Sequence, residues 1–389
     1  MATLLIETHE YRKFFPVART RFLWDITTGI FTPYQRYEKQ FHDVKVWSPR
    51  FEMEPWKHLR EEMIDKVYNR EQTVNTVVNS QFIPFENLSP QINRIGITKE
   101  GRFVYIRQES IQWEEIEQII QGDIEPLLTK YKVKEIDEGV FLDNVTDLVT
   151  RNPHAIECDL YLIRSDSNYI QPNNNVYIDK NAKIQQFVSL QPDDGPIVID
   201  KGTVVRSFSI IDGPCYIGKN SIIDSARIRG GTTIKDTCRI GGEVEESIVE
   251  NFTNKHHEGF LGHSYVGSWV NIGAMATTSD LKNNYGGIRI EIDGKPMETG
   301  TNKFGSIICD WSKIGIGMML NTGTVIEEGA NLWHDGGKPG KSFAPFSWGA
   351  EGKYEEDRFV EDLRKMMSRR NVTMSESRER FIRSVMKGL

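Results

Sequence analysis

The aliphatic residues of this chain change their period part-way along it. Ile199, Val205, Ile211, Ile217 and Ile223 stand six apart. Ile222, Ile228, Ile234 and Ile240 continue at six after a shift of one residue, and Val266 and Ile272 repeat the spacing, each followed by glycine. Period six is the signature of a hexapeptide β-helix, in which three short strands make one triangular coil. Each aliphatic side chain then points inward and stacks on its equivalents in the neighbouring coils. Gly, Asp and Asn supply the corners, where φ is positive. The pattern predicts a prism over residues 169–345. Two segments break the period. Residues 250–261 read as an excursion from one coil, and residues 280–306 as a longer one with a hairpin at Asp293-Gly294. Excursions from a rigid scaffold are where binding and catalysis concentrate.

Outside the prism the patterns are shorter. Residues 4–6, 44–47, 76–78 and 103–106 are strand-like. Trp56, Leu59, Met63 and Val67 recur at helical spacing, as do Ile116, Ile119 and Ile120 ahead of Gly122, a C-terminal cap. This alternation predicts a layered α/β domain with a mainly parallel sheet over residues 1–140. Residues 141–168 read as a linking helix and strand. In residues 346–389, Phe359, Val360, Leu363, Met366 and Met367 form one apolar helical face. Phe381, Ile382, Val385 and Met386 form a second. Solenoid ends need covering, so these two helices are expected to cap the open prism rather than to form a partner-binding tail.

Composition narrows the function classes. A chain of 389 residues is expected to hold more than one core. The net charge of −7 argues against a general nucleic-acid or anionic-membrane surface, while leaving room for a local basic pocket. No apolar run approaches a membrane span, and MATLLIETHEYRK lacks the features of a secretory leader and reads as a first strand. Cys158, Cys215, Cys238 and Cys309 form no CxxC pair, so reduced thiols in a cytoplasmic protein are expected rather than structural zinc.

The chemistry concentrates in residues 251–285. His256, His257 and His263 occur there with Lys255, Asn254 and Asn284. A neutral imidazole is the usual general base near neutral pH. A prism of this kind commonly builds its active sites between neighbouring subunits, where an amine or hydroxyl nucleophile meets a thioester. A backbone N–H then stabilises the tetrahedral oxyanion, and a glycine such as Gly273 lets a pantetheine arm lie close to the backbone. Two plainer readings compete. The histidines could cap loop carbonyls. They could instead hold zinc, although adjacent His256 and His257 rarely reach one ion. Arg229 and Lys255 are either phosphate ligands or solvated charges.

At these residues the chain resembles a known family. ARIRGG (226–231), HEGFLG (257–262) followed by VGSWVNIGA (266–274), and NNYGG (283–287) carry the likeness, with FSWG (346–349) and SRR (368–370) further on. The family is that of the bifunctional N-acetylglucosamine-1-phosphate uridylyltransferase/glucosamine-1-phosphate acetyltransferase and the related sugar nucleotidyltransferases. The resemblance implies a left-handed β-helix, a homotrimer, acetyl-CoA as co-substrate and acetyl transfer to an amino-sugar phosphate in nucleotide-sugar synthesis. It implies His257 as base, Arg229 as phosphate ligand, Asn271, Asn284 and Tyr285 as sugar contacts, and Ala274 lining the acetyl-CoA site. Phe260 stands where the family has a tyrosine that contacts the sugar phosphate. The chain also departs from the family. A second phosphate lysine is missing from VEESIV, with Lys255 as the candidate replacement. The segment before Tyr285 is longer, and His263 stands where the family has aspartate.

The N-terminal part is similar through YRKFFPVARTRFLWDITTGI (11–30) and NSQFIP (79–84). Relatives follow their first strand with a glycine-rich loop that holds nucleotide phosphates. Here that segment reads IETHEYRK, without glycine, which leaves Arg12, Lys13, Arg19 and Arg21 to offset phosphate charge. Nucleotidyl transfer would call for Mg²⁺ with a nucleoside triphosphate, and Asp25 and Asp143 are the candidate carboxylates. The alternatives to acetyl transfer are therefore nucleotidyl transfer by residues 1–140 and a non-catalytic nucleotide-sugar-binding scaffold. Small-molecule partners are expected, with neither nucleic acid nor membrane.

Overall fold

The computed structural model describes residues 2–164, 166–334, 340–349 and 352–388. They form two compact units. One comprises residues 2–26, 31–144 and 374–388, and the other residues 27–30 and 145–373.

The first unit is built on a six-stranded sheet in the order Val44–Trp47, Ala2–Ile6, Val74–Asn79, Phe103–Arg107, Arg94–Ile97, Lys132–Glu135. The first three strands are parallel. Phe103–Arg107 runs antiparallel to both of its neighbours, because residues 94–107 turn back on themselves at Gly101, whose φ is +77°. Five of the six strands therefore run in one direction, as expected of a mainly parallel sheet, and Phe103–Arg107 alone runs against them. The helix expected through Val67 stops early, spanning Trp56–Glu62. Beyond it Val67 pairs with Val46 at the sheet edge, so its apolar side chain serves a strand and not a helix. The helix Trp113–Gln121 ends at Gly122, which has φ +84° and meets the expected cap.

The second unit is the prism. Parallel register carries Ile199 onto Ile217, Ile234, Val249, Val266, Ile308 and Ile326 along one face. Val205, Ile223 and Ile240 stack on the second face, and Ile211, Ile228, Val244 and Leu261 on the third. These side chains fill one continuous core. The apparent slip in the repeat has a local cause. Ile223 points inward and Ile222 outward, and the corner that follows is one residue shorter. Residues 250–261 are not an excursion. Strands Asn254–Lys255 and Phe260–Gly262 keep their places in the coil, and the period is interrupted only because Lys255 occupies an inward position opposite Ile240. The longer excursion is present. Tyr265 pairs with Ile307, and the intervening chain contains the hairpin Arg289–Ile292/Lys295–Glu298 turning at Asp293-Gly294.

The two C-terminal helices part company. Glu356–Ser368 packs Phe359 against Trp311, Phe346 and Tyr354 of the last coils. Glu376–Gly388 belongs to the first unit, where Phe381 meets Trp56 edge-on and Arg378 and Arg380 pair with Glu62 and Glu61. The second helix therefore does not cap the prism.

Candidate functional site

His256 and His257 form the corner between the second and third prism faces, flanked by Gly241-Gly242 in one neighbouring coil and Gly273-Ala274-Met275 in the other. Close backbone stacking makes this corner. Gly241 N–H donates to the Lys255 carbonyl at 2.7 Å, and Met275 N–H to that of Glu258 at 2.8 Å. A Cβ on Gly241 would lie 2.0 Å from the His256 carbonyl oxygen, so only glycine fits there.

The three histidines have different surroundings. His256 Nε2 is 2.7 Å from Asp224 Oδ2, a carboxylate that also meets Arg206 at 2.5 Å. His263 is buried, with Nδ1 2.7 Å from Asp280 and Nε2 3.3 Å from Glu246. Burial disfavours its cation, but the two carboxylates outweigh burial and push its pKa up to about 9. Donor atoms of Glu245, Glu246 and His263 lie within 4.8 Å of one another, yet both ring nitrogens of His263 already face carboxylates. His257 is exposed, and among the described residues its imidazole has no hydrogen-bond or ion-pair partner. It is the one histidine of the three whose ring is left open to a substrate.

Lys255 is not a surface lysine. Its side chain is 2% exposed, and Nζ donates to the carbonyls of Gly241 at 2.7 Å and His257 at 3.0 Å. Desolvation lowers its pKa to about 8. Its expected role as a replacement phosphate ligand is therefore corrected. The ammonium points into the prism and fastens the histidine corner from beneath.

The other expected contacts lie on the two faces that meet at this corner. Phe260 follows Arg227 and Glu243 in register on the third face, where exposed Arg229 pairs with Asp212 at 3.5 Å and Glu243 at 3.3 Å. Asn271 is exposed on the second face and accepts from Asn254 Nδ2 at 2.9 Å. Ala274 is part of the corner, its carbonyl accepting from Gly317 N–H. Asn284 and Tyr285 lie on the excursion and are exposed. Among the described residues no hydrogen bond joins them to His257.

The first unit places its candidate residues less favourably. After Ile6 the chain enters a 3₁₀ turn, His9–Phe14, instead of a glycine loop. Glu7 is fully buried, and its carboxylate accepts from Leu23 N–H at 2.8 Å, Ser48 Oγ at 2.5 Å and Arg50 Nε at 2.8 Å. The Arg50 guanidinium in turn lies 3.9 Å from the Trp56 ring centre. This buried pair, which sequence reasoning missed, fills the place directly after the first strand. Lys13 pairs with Glu10, Arg12 lies over Tyr11, Arg19 lies over Phe15, and Arg21 reaches the Asp25 carbonyl. Burial raises the Asp25 pKa to about 6, partly offset by Arg21, and Asp143 meets Arg102 at 2.6 Å. One carboxyl that resists ionising and another held by a guanidinium do not make a fitting Mg²⁺ site. A cavity of about 660 Å³ in the same unit is lined by Trp47, Arg60, Tyr68 and Arg70, and none of the four basic candidates lines it.

Known proteins share both parts of this chain. Residues 3–168 match the family described as sugar nucleotidyl transferase. The bifunctional protein GlmU of Bartonella bacilliformis is 30% identical over 176 residues, covering 43% of this chain and 37% of that protein. The bifunctional sugar-1-phosphate nucleotidylyltransferase/acetyltransferase of Sulfurisphaera tokodaii is 25% identical over 276 residues, covering 69% of this chain and 63% of the relative. The chain thus spans from about a third to under two-thirds of these relatives' lengths. Among solved structures, the acetyltransferase domain of PglB from Neisseria gonorrhoeae in complex with acetyl coenzyme A matches 82% of this chain and 95% of its own at 10% identity, with a TM-score of 0.18. The class is that of a sugar nucleotidyl transferase-type domain joined to a hexapeptide β-helix. Residues 3–168 carry the match to sugar nucleotidyl transferases, and the chain is similar to GlmU-type bifunctional proteins over a longer stretch. Among the described residues no helix is long and apolar enough to cross a membrane.

Proposed function

We propose that the prism catalyses acetyl transfer from acetyl-CoA to the amino group of an amino-sugar phosphate. The observation that carries this reading is the exposed imidazole of His257, which has no hydrogen-bond or ion-pair partner among the described residues, while His256 beside it and His263 beyond the strand Phe260–Gly262 are both tied to carboxylates. In this reading His257 takes the proton of the attacking amine as the new C–N bond forms. A backbone N–H of the corner stabilises the tetrahedral oxyanion, and the C–S bond then breaks to release the CoA thiolate. Arg229 receives the phosphate, although it must exchange Asp212 and Glu243 for it. Asn271, Asn284, Tyr285 and Phe260 hold the sugar, and Ala274 lines the acetyl-CoA site, while Gly273 is required by the close stacking of the next coil. The exposed corner suits a site completed by a neighbouring copy, and we assign the active form as a cytoplasmic homotrimer. With acetyl-CoA and glucosamine 1-phosphate, His257→Ala is expected to lower kcat by about 10²–10⁴-fold. Turnover equal to wild type would remove His257 from the chemistry.

A second reading is nucleotidyl transfer by the first unit, supported by the family match over residues 3–168. The Glu7–Arg50 pair counts against it, because a buried carboxylate occupies the place where relatives bring backbone N–H groups to phosphate. Pyrophosphate release from UTP or dTTP with a sugar 1-phosphate separates the two activities.

A further inference from the structure

We infer that His263, clasped between Asp280 and Glu246, is a positioning residue for the arm that carries Asn284 and Tyr285. The inference rests on the proposed acetyl transfer only in treating those two residues as acceptor contacts. The excursion leaves the prism at Asp280 and rejoins it at Ser306, through a narrow neck. Phe304 N–H donates to the Asp280 carbonyl at 2.8 Å, Leu281 bridges Lys303 antiparallel, and Gly305 N–H donates to the His263 carbonyl at 2.9 Å. Each side of the neck also carries a charged tie to the coil beneath. On one side Asp280 meets His263 at 2.7 Å, and on the other Lys303 lies 3.6 Å from Glu245.

His263 and Glu246 stand at stacked coil corners, with φ +45° and +39°, the left-handed backbone that other corners of the prism share. The far end of the excursion is anchored separately. Ile288 and Ile290 are buried, and Gly323 leaves no room for a Cβ against the Arg289 carbonyl, 2.3 Å away. Residues 282–287 therefore span from the neck to the hairpin, and the direction in which they present Asn284 and Tyr285 depends on the neck.

The groups facing the imidazole are Asp280 and Glu246, with Lys303 and Glu245 next to them. The folded pKa of about 9 lies above the ordinary 6.5, so the clasp is at full strength below about pH 6.5 and is lost as pH rises through 9.

The test combines two readouts on the full-length protein. Hydrogen exchange of residues 281–288, normalised to intrinsic rates, is compared in wild type, His263→Gln and Asp280→Asn at pH 7.5 and 10. Faster exchange in both variants at pH 7.5, and in wild type only at pH 10, is expected. Unchanged exchange in the variants overturns the inference. Protection of this segment by Zn²⁺, reversed by EDTA, also overturns it by making the cluster a metal site. In the acetyl-transfer assay the variants are expected to raise KM for glucosamine 1-phosphate about tenfold, the order of one charge-assisted hydrogen bond, while KM for acetyl-CoA stays at its wild-type value. A rise in both constants means general damage and sinks the positioning role. If wild type transfers no acetyl group, the proposed function fails while the exchange result still decides the clasp.

Discussion

Lys255 sits where every other coil of the second face near it has an aliphatic residue, and its ammonium is enclosed by two carbonyls. Burying a cation costs free energy unless hydrogen bonds and nearby charge offset it. Here desolvation wins, and the pKa falls from 10.5 to about 8. The sign of the pH effect follows. Between pH 8 and 10.5 the unfolded chain holds the proton more tightly than the folded one, so stability rises with pH across that window. Lys255→Met removes the titrating group. Urea unfolding of both proteins at pH 7.5 and 10 should show wild type gaining about 2 kcal/mol relative to the variant. Parallel pH dependence would mean that the buried amine does not titrate in this range. This residue also shows how far sequence reading reached. HEGFLG singled out His257, and the structure leaves that ring open. The lysine beside it was placed on the surface because nothing in NKHHEG marks a cation as pointing inward. His263 was read as one of three candidate histidines and as a departure from the family, and its clasp went unseen because its partners Glu246 and Asp280 are neighbours only through the coil stacking.

At the scale of elements, period six made the prism legible because every third of a coil repeats one packing demand. Its errors lie where one side chain hides the repeat. Lys255 made an ordinary coil look like an excursion, and Ile222 beside Ile223 offered two registers of equal hydrophobicity. The structure chooses Ile223, fully buried, over Ile222, which faces outward. Ile223→Ala should therefore cost about 2–5 kcal/mol, the usual range for emptying a packed aliphatic site. Ile222→Ala should stay within about 1 kcal/mol, since it leaves no enclosed cavity. Equal losses in chemical unfolding would reverse the register of this coil. The α/β unit was less legible. Apolar content located four strands of its sheet and missed the partly buried Arg94–Ile97 and the mostly exposed Lys132–Glu135, and it could not show that Phe103–Arg107 runs against the rest. The amphipathic face of Glu376–Gly388 showed that it needed a partner but could not show that Trp56–Glu62 supplies one.

At the scale of the whole molecule, the prism edge that holds His257 also exposes large apolar side chains. Phe187 and Phe208 are each 72% exposed and stack on one another, ring centres 5.6 Å apart and planes 3° from parallel. Further along the same edge, beyond the coils of Ser225, Gly242 and His257, Met275 and Ile316 are 63% and 76% exposed. Scattered exposed apolar residues need no explanation, but two stacked phenylalanines exposed on a rigid edge mark a surface that association would cover. Phe187 and Phe208 also hold φ of +64° and +66°, positions that asparagine occupies at less cost than phenylalanine. Replacing both by asparagine therefore removes apolar surface while easing the backbone, so weaker association cannot be blamed on a damaged fold. Light scattering coupled to size exclusion is expected to show the wild type as a trimer and Phe187→Asn/Phe208→Asn as a monomer. The double variant's melting temperature, read at a concentration where wild type is also dissociated, should equal or exceed that of wild type. Acetyl transfer should fall with the trimer population, because a corner exposed on one copy needs a neighbour to enclose the reacting groups. A variant that remains trimeric would move the interface away from this corner, and a monomeric variant with full activity would show that His257 works without a neighbouring copy.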